Sequence, residues 1–182
     1  MEDQDQDFDI EDILENNTKK KRINSKRKGK RVELELCKVL SKHFKKQFSR
    51  AVGSGNRWGQ VTNLPKHARD TFTGDVCPPE GFKWVIECKG GYENDIDLNG
   101  VLDGGCARLD DFIKQSERDA KQSGRLPIII WKRSRKPWLA MLLQKDLDNK
   151  RKFKYRFYYR EWVIVPFMEM LEVFNEYFWF QE

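Results

Sequence analysis

The chain has 182 residues, with 35 Lys and Arg against 29 Asp and Glu, a formal net charge of +6 and a mean hydropathy of −0.81. That length suits one domain burying a single core, and the 4 cysteines form no Cys-x-x-Cys pair and have no His-rich partner spacing, which excludes a zinc or iron–sulfur site and reads as reduced thiols of a cytosolic protein. The polar N-terminus argues against a secretory signal, and no apolar run approaches the length that spans a bilayer.

Charge is unevenly distributed. Residues 1–17 carry Glu2, Asp3, Asp5, Asp7, Asp9, Glu11, Asp12 and Glu15 and no basic residue, whereas residues 18–31 carry Lys19, Lys20, Lys21, Arg22, Lys26, Arg27, Lys28, Lys30 and Arg31. An acidic tail abutting a basic stripe suggests a nucleic-acid binder whose tail folds back on its own site; the plainer reading is a solvated, disordered tail. Residues 1–24 are therefore expected to form a disordered tail, and 25–182 a single domain.

From Ser25 to about Gln47, Val32, Leu36, Val39, Leu40 and Phe44 recur at three- and four-residue intervals and predict a helix with one apolar stripe. Glu33 borders that stripe and could lean towards a neighbouring sheet; Glu35 is the alternative, and a surface glutamate paired with Arg31 or Lys30 is the bland reading. Phe48 to Val52 reads as a short strand. The loop after it, Gly53-Ser54-Gly55-Asn56-Arg57-Trp58-Gly59, offers close backbone approach and phosphate-contacting side chains in Ser54, Asn56 and Arg57. A polar loop with Lys66, His67 and Arg69 continues towards Asp75, where His67 is either a catalytic assistant or merely solvated.

The stretch Thr71 to Gly91 carries the chemistry. Asp75 belongs to a short preceding strand, Pro78-Pro79-Glu80-Gly81 signals a turn, and Lys83-Trp84-Val85-Ile86 runs into Glu87-Cys88-Lys89. On a strand over 82–89, Trp84, Ile86 and Cys88 point to a core while Val85, Glu87 and Lys89 share the opposite, exposed face. The turn brings Asp75 back beside Glu87. Two carboxylates next to a lysine make a site for a hard, oxygen-preferring cation, Mg²⁺ or Mn²⁺.

Asp75 followed by Glu87-Cys88-Lys89 at a strand end resembles the signature of the PD-(D/E)XK nucleases, with Gly74-Asp75 standing where the family often has Pro-Asp. Arg27-Lys28-Gly29-Lys30-Arg31-Val32-Glu33 resembles the Lys-Gly-x-x-x-Glu opening of the archaeal-type Holliday junction resolvases in that superfamily, and Ser49 to Gly55 is similar to their Arg-Ser and Gly-Ser-Gly patch. The resemblance covers roughly residues 25 to 145 and implies an α/β fold with a restriction-endonuclease-like core, a mixed central β-sheet flanked by helices. It implies metal ligation by Glu33, Asp75, Glu87 and the Cys88 carbonyl, with Lys89 as the catalytic cation. A glutamine from the helix after the Glu-x-Lys strand often joins such sites, which makes Gln115 the candidate here; ordinary helix surface is the bland alternative.

Beyond Lys89 the residues from Gly90 to Gly105 read as a polar loop, with a weak calcium-loop alternative. A helix is expected over Arg108 to Ser123, with Leu109, Phe112 and Ile113 inward and Gln115, Glu117 and Arg118 on its polar flank. Buried strands follow at Leu126 to Trp131 and Trp138 to Leu143, joined by the basic hairpin loop Lys132-Arg133-Ser134-Arg135-Lys136-Pro137. In the basic segment Lys145 to Arg160, the alternation of Phe153, Tyr155, Phe157 and Tyr159 predicts a strand with one aromatic face. Trp162 to Val165 is a last strand. Pro166 opens a terminal helix to about Phe178, whose aromatic stripe is core or, beyond the fold's needs, a dimer surface.

The expected activity is Mg²⁺-dependent, structure-selective endonucleolytic cleavage of branched DNA by a homodimer, without a small-molecule cofactor or membrane partner. Lys26, Arg27, Lys28, Lys30, Arg31, Arg50, Ser54, Asn56, Arg57, Arg133 and Arg135 would hold DNA. The alternatives are the same fold acting on linear duplex or flap DNA, or a non-catalytic nucleic-acid-binding protein; intact Asp75, Glu87 and Lys89 argue against the last. A small, highly charged nuclease of this kind suits a bacteriophage, which would place it in the host cytoplasm.

Overall fold

The computed structural model describes residues 25–51, 73–92, 94–148 and 150–181. Helix α1 (Ser25–Phe44) leads to a two-stranded antiparallel ladder of β1 (Ser49–Arg50) and β2 (Val76–Cys77), and then to β3 (Trp84–Gly90). After α2 (Leu98–Leu102) and α3 (Ala107–Ser123) come β4 (Leu126–Lys132), β5 (Trp138–Leu143), β6 (Phe157–Tyr159) and β7 (Trp162–Pro166), and the chain ends with α4 (Phe167–Val173) and α5 (Glu176–Trp179). The main sheet is mixed, in the order β3-β4-β5-β7-β6; β3 and β4 are parallel, joined by a crossover through α3, and the remaining neighbours are antiparallel. Among the described residues, no helix is long and apolar enough to cross a membrane.

Two apolar layers sandwich the sheet. On one face the α1 stripe Val32, Leu36 and Leu40 packs with Trp84, Ile86, Cys88, Ile128 and Ile130; on the other, Leu109, Phe112 and Ile113 of α3 meet Ile129, Trp131, Met141 and Ile164. The Ile128-Ile129-Ile130 run is fully buried because helices cover both faces. α1 sits close against the end of β3: a Cβ on Gly90 would lie 2.8 Å from Val32 Cγ2, so only glycine permits this approach.

Four expectations change. The face of β3 bearing Val85, Glu87 and Lys89 is not exposed: the α3 crossover covers it, leaving Glu87 only 3% accessible. The polar loop after Lys89 contains α2, whose start is capped by Asp97 accepting from the Gly100 amide at 2.6 Å. The aromatic alternation does not form one strand face. Phe153 packs on the α1 layer and Tyr155 on the α3 layer, so the chain wraps round the sheet edge, and only 157–159 pair as a strand.

The expected terminal helix is broken in two. Phe174, extended at φ −100° and ψ 133°, ends α4, and the reversal lets Phe178 stack on Phe174 at 3.9 Å and directs Trp179 inward among Phe44, Phe82, Trp84 and Phe167. This segment also latches the start of β3. The Lys83 amide donates to the Trp179 carbonyl, the Gln181 amide to that of Gly81, and the Trp84 indole to that of Phe178. Most of the aromatic C-terminus is therefore core, leaving Met168 and Tyr177 as its exposed large residues.

Candidate active site

Asp75 is held by its backbone before its side chain is considered. Its amide donates to the Ile86 carbonyl at 2.9 Å, and its carbonyl accepts from the Ala51 amide at 3.0 Å, tying the start of β2 to the edge of β3 opposite β4. Gly74 makes this possible: its φ is +83°, and a Cβ there would sit 2.7 Å from the Ile86 oxygen. Asp75 Oδ2 then accepts from the Cys88 amide at 2.8 Å. In an extended strand the C=O of a residue points to the same side as its N–H, so the Cys88 carbonyl faces this edge too, away from β4. The Cys88 thiol points into the core, where burial pushes its pKa well up and keeps it protonated.

Glu87 lies next to Asp75 beneath α3. Its Oε1 accepts from Lys89 Nζ, its Oε2 is buried with no nitrogen or hydroxyl donor facing it among the described residues, and its carboxyl group, when protonated, donates to that of Asp75. Lys89 also donates to Gln115 Oε1 at 2.7 Å and lies 5.0 Å from the centre of the Phe112 ring. Thus α3 aims the lysine: Phe112 and Gln115, one turn apart, both meet its ammonium group, the ring through its face and the amide through its oxygen.

Burial dominates the electrostatics. It pushes Glu87 up to about 8, with the Asp75 charge adding to the shift and Lys89 opposing it. Asp75 rises to about 6, again from burial first, with the Cys88 amide pulling it down and the Glu33 charge pushing it up. Two buried carboxyl groups set against each other, both resisting ionisation, form a site that is stabilised by a positive charge.

Glu33, rather than exposed Glu35, is the α1 carboxylate whose charge reaches Asp75; it is bound to Arg50 Nε in a half-buried ion pair. Neither Arg31 nor Lys30 is its partner in that pair. Among the described residues no group of three or more His, Cys, Asp or Glu side chains is placed to hold a metal ion, so Glu33 stands apart from the Asp75–Glu87 pair. A small divalent cation that keeps most of its waters needs only one or two carboxylates. Asp75, Glu87 and the Cys88 carbonyl fit that demand, and the buried Glu87 oxygen that no donor faces, set against the Asp75 carboxyl group, is the observation that makes the fit.

Of the basic residues expected on DNA, Arg27, Lys30 and Arg31 are exposed on α1, and Lys28 reaches Ser134 Oγ of the β4–β5 hairpin at 3.2 Å, joining the helix start to the hairpin loop. Arg135 is exposed, and Arg133 lies over the Trp131 ring at 5.3 Å. Arg50 faces Glu33. The Lys26 side chain and residues 52–72, with Ser54, Asn56, Arg57 and His67, lie outside the described parts.

Two residues at the site escaped the sequence reading. Ser116 and Asp119 are 1% and 5% exposed on the inner face of α3; the Asp119 charge is felt at Glu87, and the Lys89 charge is felt at Asp119. The signal was present, because Ser116 and Asp119 continue the three- and four-residue spacing of Leu109, Phe112 and Ile113 along the core stripe. Polar residues at core positions of a helix over an active-site strand mark that strand's surroundings.

Residues 24–179 match a family model described as "Phage putative PDDEXK endonuclease". The chain is similar to Protein D14 of Escherichia phage T5, at 29% identity over 133 residues, which are 70% of this chain and 77% of that protein. No solved structure gives a significant match. The family match runs through the C-terminal aromatic segment, beyond the stretch that carries the recognisable motifs, as expected where that segment completes the core. With a mixed sheet flanked by helices and an Asp, Glu and Lys gathered at the end of its parallel edge strand, the chain belongs to the PD-(D/E)XK nucleases, in the endonuclease family described from phages.

Proposed function

We propose that this protein is a divalent-metal-dependent endodeoxyribonuclease, selective for DNA shape, that resolves four-way junctions as a homodimer with one active site per cut strand. The observation that carries the hydrolytic reading is the Glu87 carboxylate, buried against Asp75 with one oxygen on Lys89 and no donor facing the other among the described residues. Asp75, Glu87 and the Cys88 carbonyl would hold the cation, and Glu33 stands behind them through its charge on Asp75. A Mg²⁺ or Mn²⁺ in this position would supply Lewis-acid stabilisation of the charge that builds on the scissile phosphate.

Lys89 is held at the rim of the pair by Gln115 and supplies a fixed positive charge towards the same phosphate. The basic start of α1 and the hairpin loop it touches would hold flanking phosphates without reading base edges, which suits recognition by shape and a role in recombination or repair of branched DNA. The Lys-Gly-x-x-x-Glu opening of α1 supports the junction substrate. The test is cleavage of a labelled four-way junction and a matched linear duplex, with Mg²⁺ and with EDTA, by the native protein and Glu87→Ala. Paired, Mg²⁺-dependent cuts near the branch that vanish in Glu87→Ala are expected. Equal cutting of both substrates would reject junction selectivity and leave a general nuclease, and salt-sensitive binding without cutting would reject catalysis.

A further inference from the structure

A second surface lies at the opposite edge of the sheet from Asp75 and Glu87. β6 is the outer strand, and it is entered by a segment in which Lys150, Arg151, Lys152 and Lys154 are exposed. Phe157 and Tyr158, each 55% exposed, point to opposite faces of that edge. These are large aromatic rings left in water on a strand whose outer backbone groups have no neighbouring strand among the described residues. The core does not need them: Tyr159, the next residue, is the ring that β6 buries.

Cations and rings alternate throughout this edge. The Arg156 guanidinium lies 5.2 Å from the Phe153 ring and Arg151 lies 6.0 Å from Phe174, while the Tyr155 and Phe157 rings are 5.5 Å apart. Register relates the edge to the site. Glu87 pairs with Ile129, Ile129 with Met141, Met141 with Ile164 and Ile164 with Phe157, so Phe157 occupies the same row and face as Glu87, four strands away. At ~4.8 Å per strand that is about 19 Å, roughly half a turn of duplex and too far to reach the phosphate being cut.

We propose that the β6 edge is a second DNA-contact surface that takes unpaired nucleotides, with phosphates on Lys150, Lys152 and Lys154 and a base stacked on Phe157. Exposed rings interleaved with cations have the chemistry of single-strand binding, since every base has a face to stack and every nucleotide a charge to neutralise. A second copy of this chain pairing edge to edge is disfavoured, because a twofold axis at β6 would bring two such cationic segments together. The inference rests on the reading of the chain as acting on DNA and deepens it: the nuclease would engage strand separated from the duplex beside its cut.

The test is binding of a fluorescein-labelled 30-nucleotide oligo-dT and of a duplex of equal length, followed by anisotropy in EDTA over a salt series, for the native chain, Lys150→Ala/Lys152→Ala/Lys154→Ala and Phe157→Leu. The triple variant should lower the salt slope for oligo-dT by about 2, three single-strand phosphate contacts at ~0.7 each. Phe157→Leu, which keeps the apolar packing but removes the ring, should weaken oligo-dT binding about tenfold and leave duplex binding unchanged. Native binding with an unchanged slope in the triple variant and unchanged affinity in Phe157→Leu overturns the inference alone. Failure of the native chain to bind any DNA removes both the inference and the nuclease reading, and a loss of dimer in sedimentation velocity with an unchanged slope assigns the edge to a second copy instead.

Discussion

Gly74 offers a direct way to test how the site is built, because it joins two costs that a control can separate. An alanine there must accept φ +83°, and its Cβ would meet the Ile86 carbonyl oxygen at 2.7 Å and Val85 Cγ2 at 2.9 Å. The left-handed backbone costs a non-glycine residue ~1–2 kcal/mol. A Cβ pressed against backbone cannot be relieved by a rotamer change and adds ~1–3 kcal/mol, as overpacking does. Gly104 has φ +70° and nothing within 4 Å of its Cβ, so Gly104→Ala carries only the first cost. In thermal unfolding, at ~2–4 °C per kcal/mol for a domain of this size, Gly74→Ala should fall by about 4–20 °C and Gly104→Ala by about 2–8 °C. Because the strained contact is with the Ile86 carbonyl that fixes Asp75, Gly74→Ala should also lose about a hundredfold in DNA cleavage, the cost of moving a catalytic group by about 1 Å. Equal melting temperatures for the two variants together with full cleavage by Gly74→Ala would refute the argument.

The carboxyl pair makes stability depend on pH. Asp75 and Glu87, raised to about 6 and about 8, stay protonated in the folded chain where the unfolded chain has already ionised, so their contribution is whole below about pH 4 and is lost as pH rises through 6 to 8. The melting temperature of the metal-free protein should fall between pH 5 and 8.5, Mg²⁺ should restore it at pH 8.5, and Glu87→Gln should flatten the profile while abolishing cleavage. Lys89→Met should reduce the cleavage rate by ~10²–10³, the usual loss for one charge-stabilising donor, and Gln115→Ala by less, because Glu87 still holds the lysine. Trp179→Ala should cost ~3–5 kcal/mol in urea unfolding, since the ring is buried among five other aromatic side chains and its strand-latching segment would loosen.

What the sequence determined by itself is what short range controls. The 3.6-residue stripe of α1, the isoleucine run of β4 and the Asp–turn–Glu-x-Lys spacing depend on neighbours a few positions away, and they locate the helix, the buried strand and the pair Asp75 and Glu87. Tertiary structure decided everything that depends on what lies across the sheet. Period-two alternation separates Glu87 and Lys89 from Ile86 and Cys88 but cannot say which face is covered; the parallel crossover does, by laying α3 over the carboxylates and raising their pKa values. Likewise, Glu33 and Glu35 both sit on α1, and only its close approach over Gly90 turns one of them towards Asp75 and Arg50. The aromatic C-terminus shows the same limit. Its spacing suits one continuous helix, but the free energy of placing Trp179 and Phe180 against Phe82, over the open start of β3, favours an extended Phe174 that no local pattern announces.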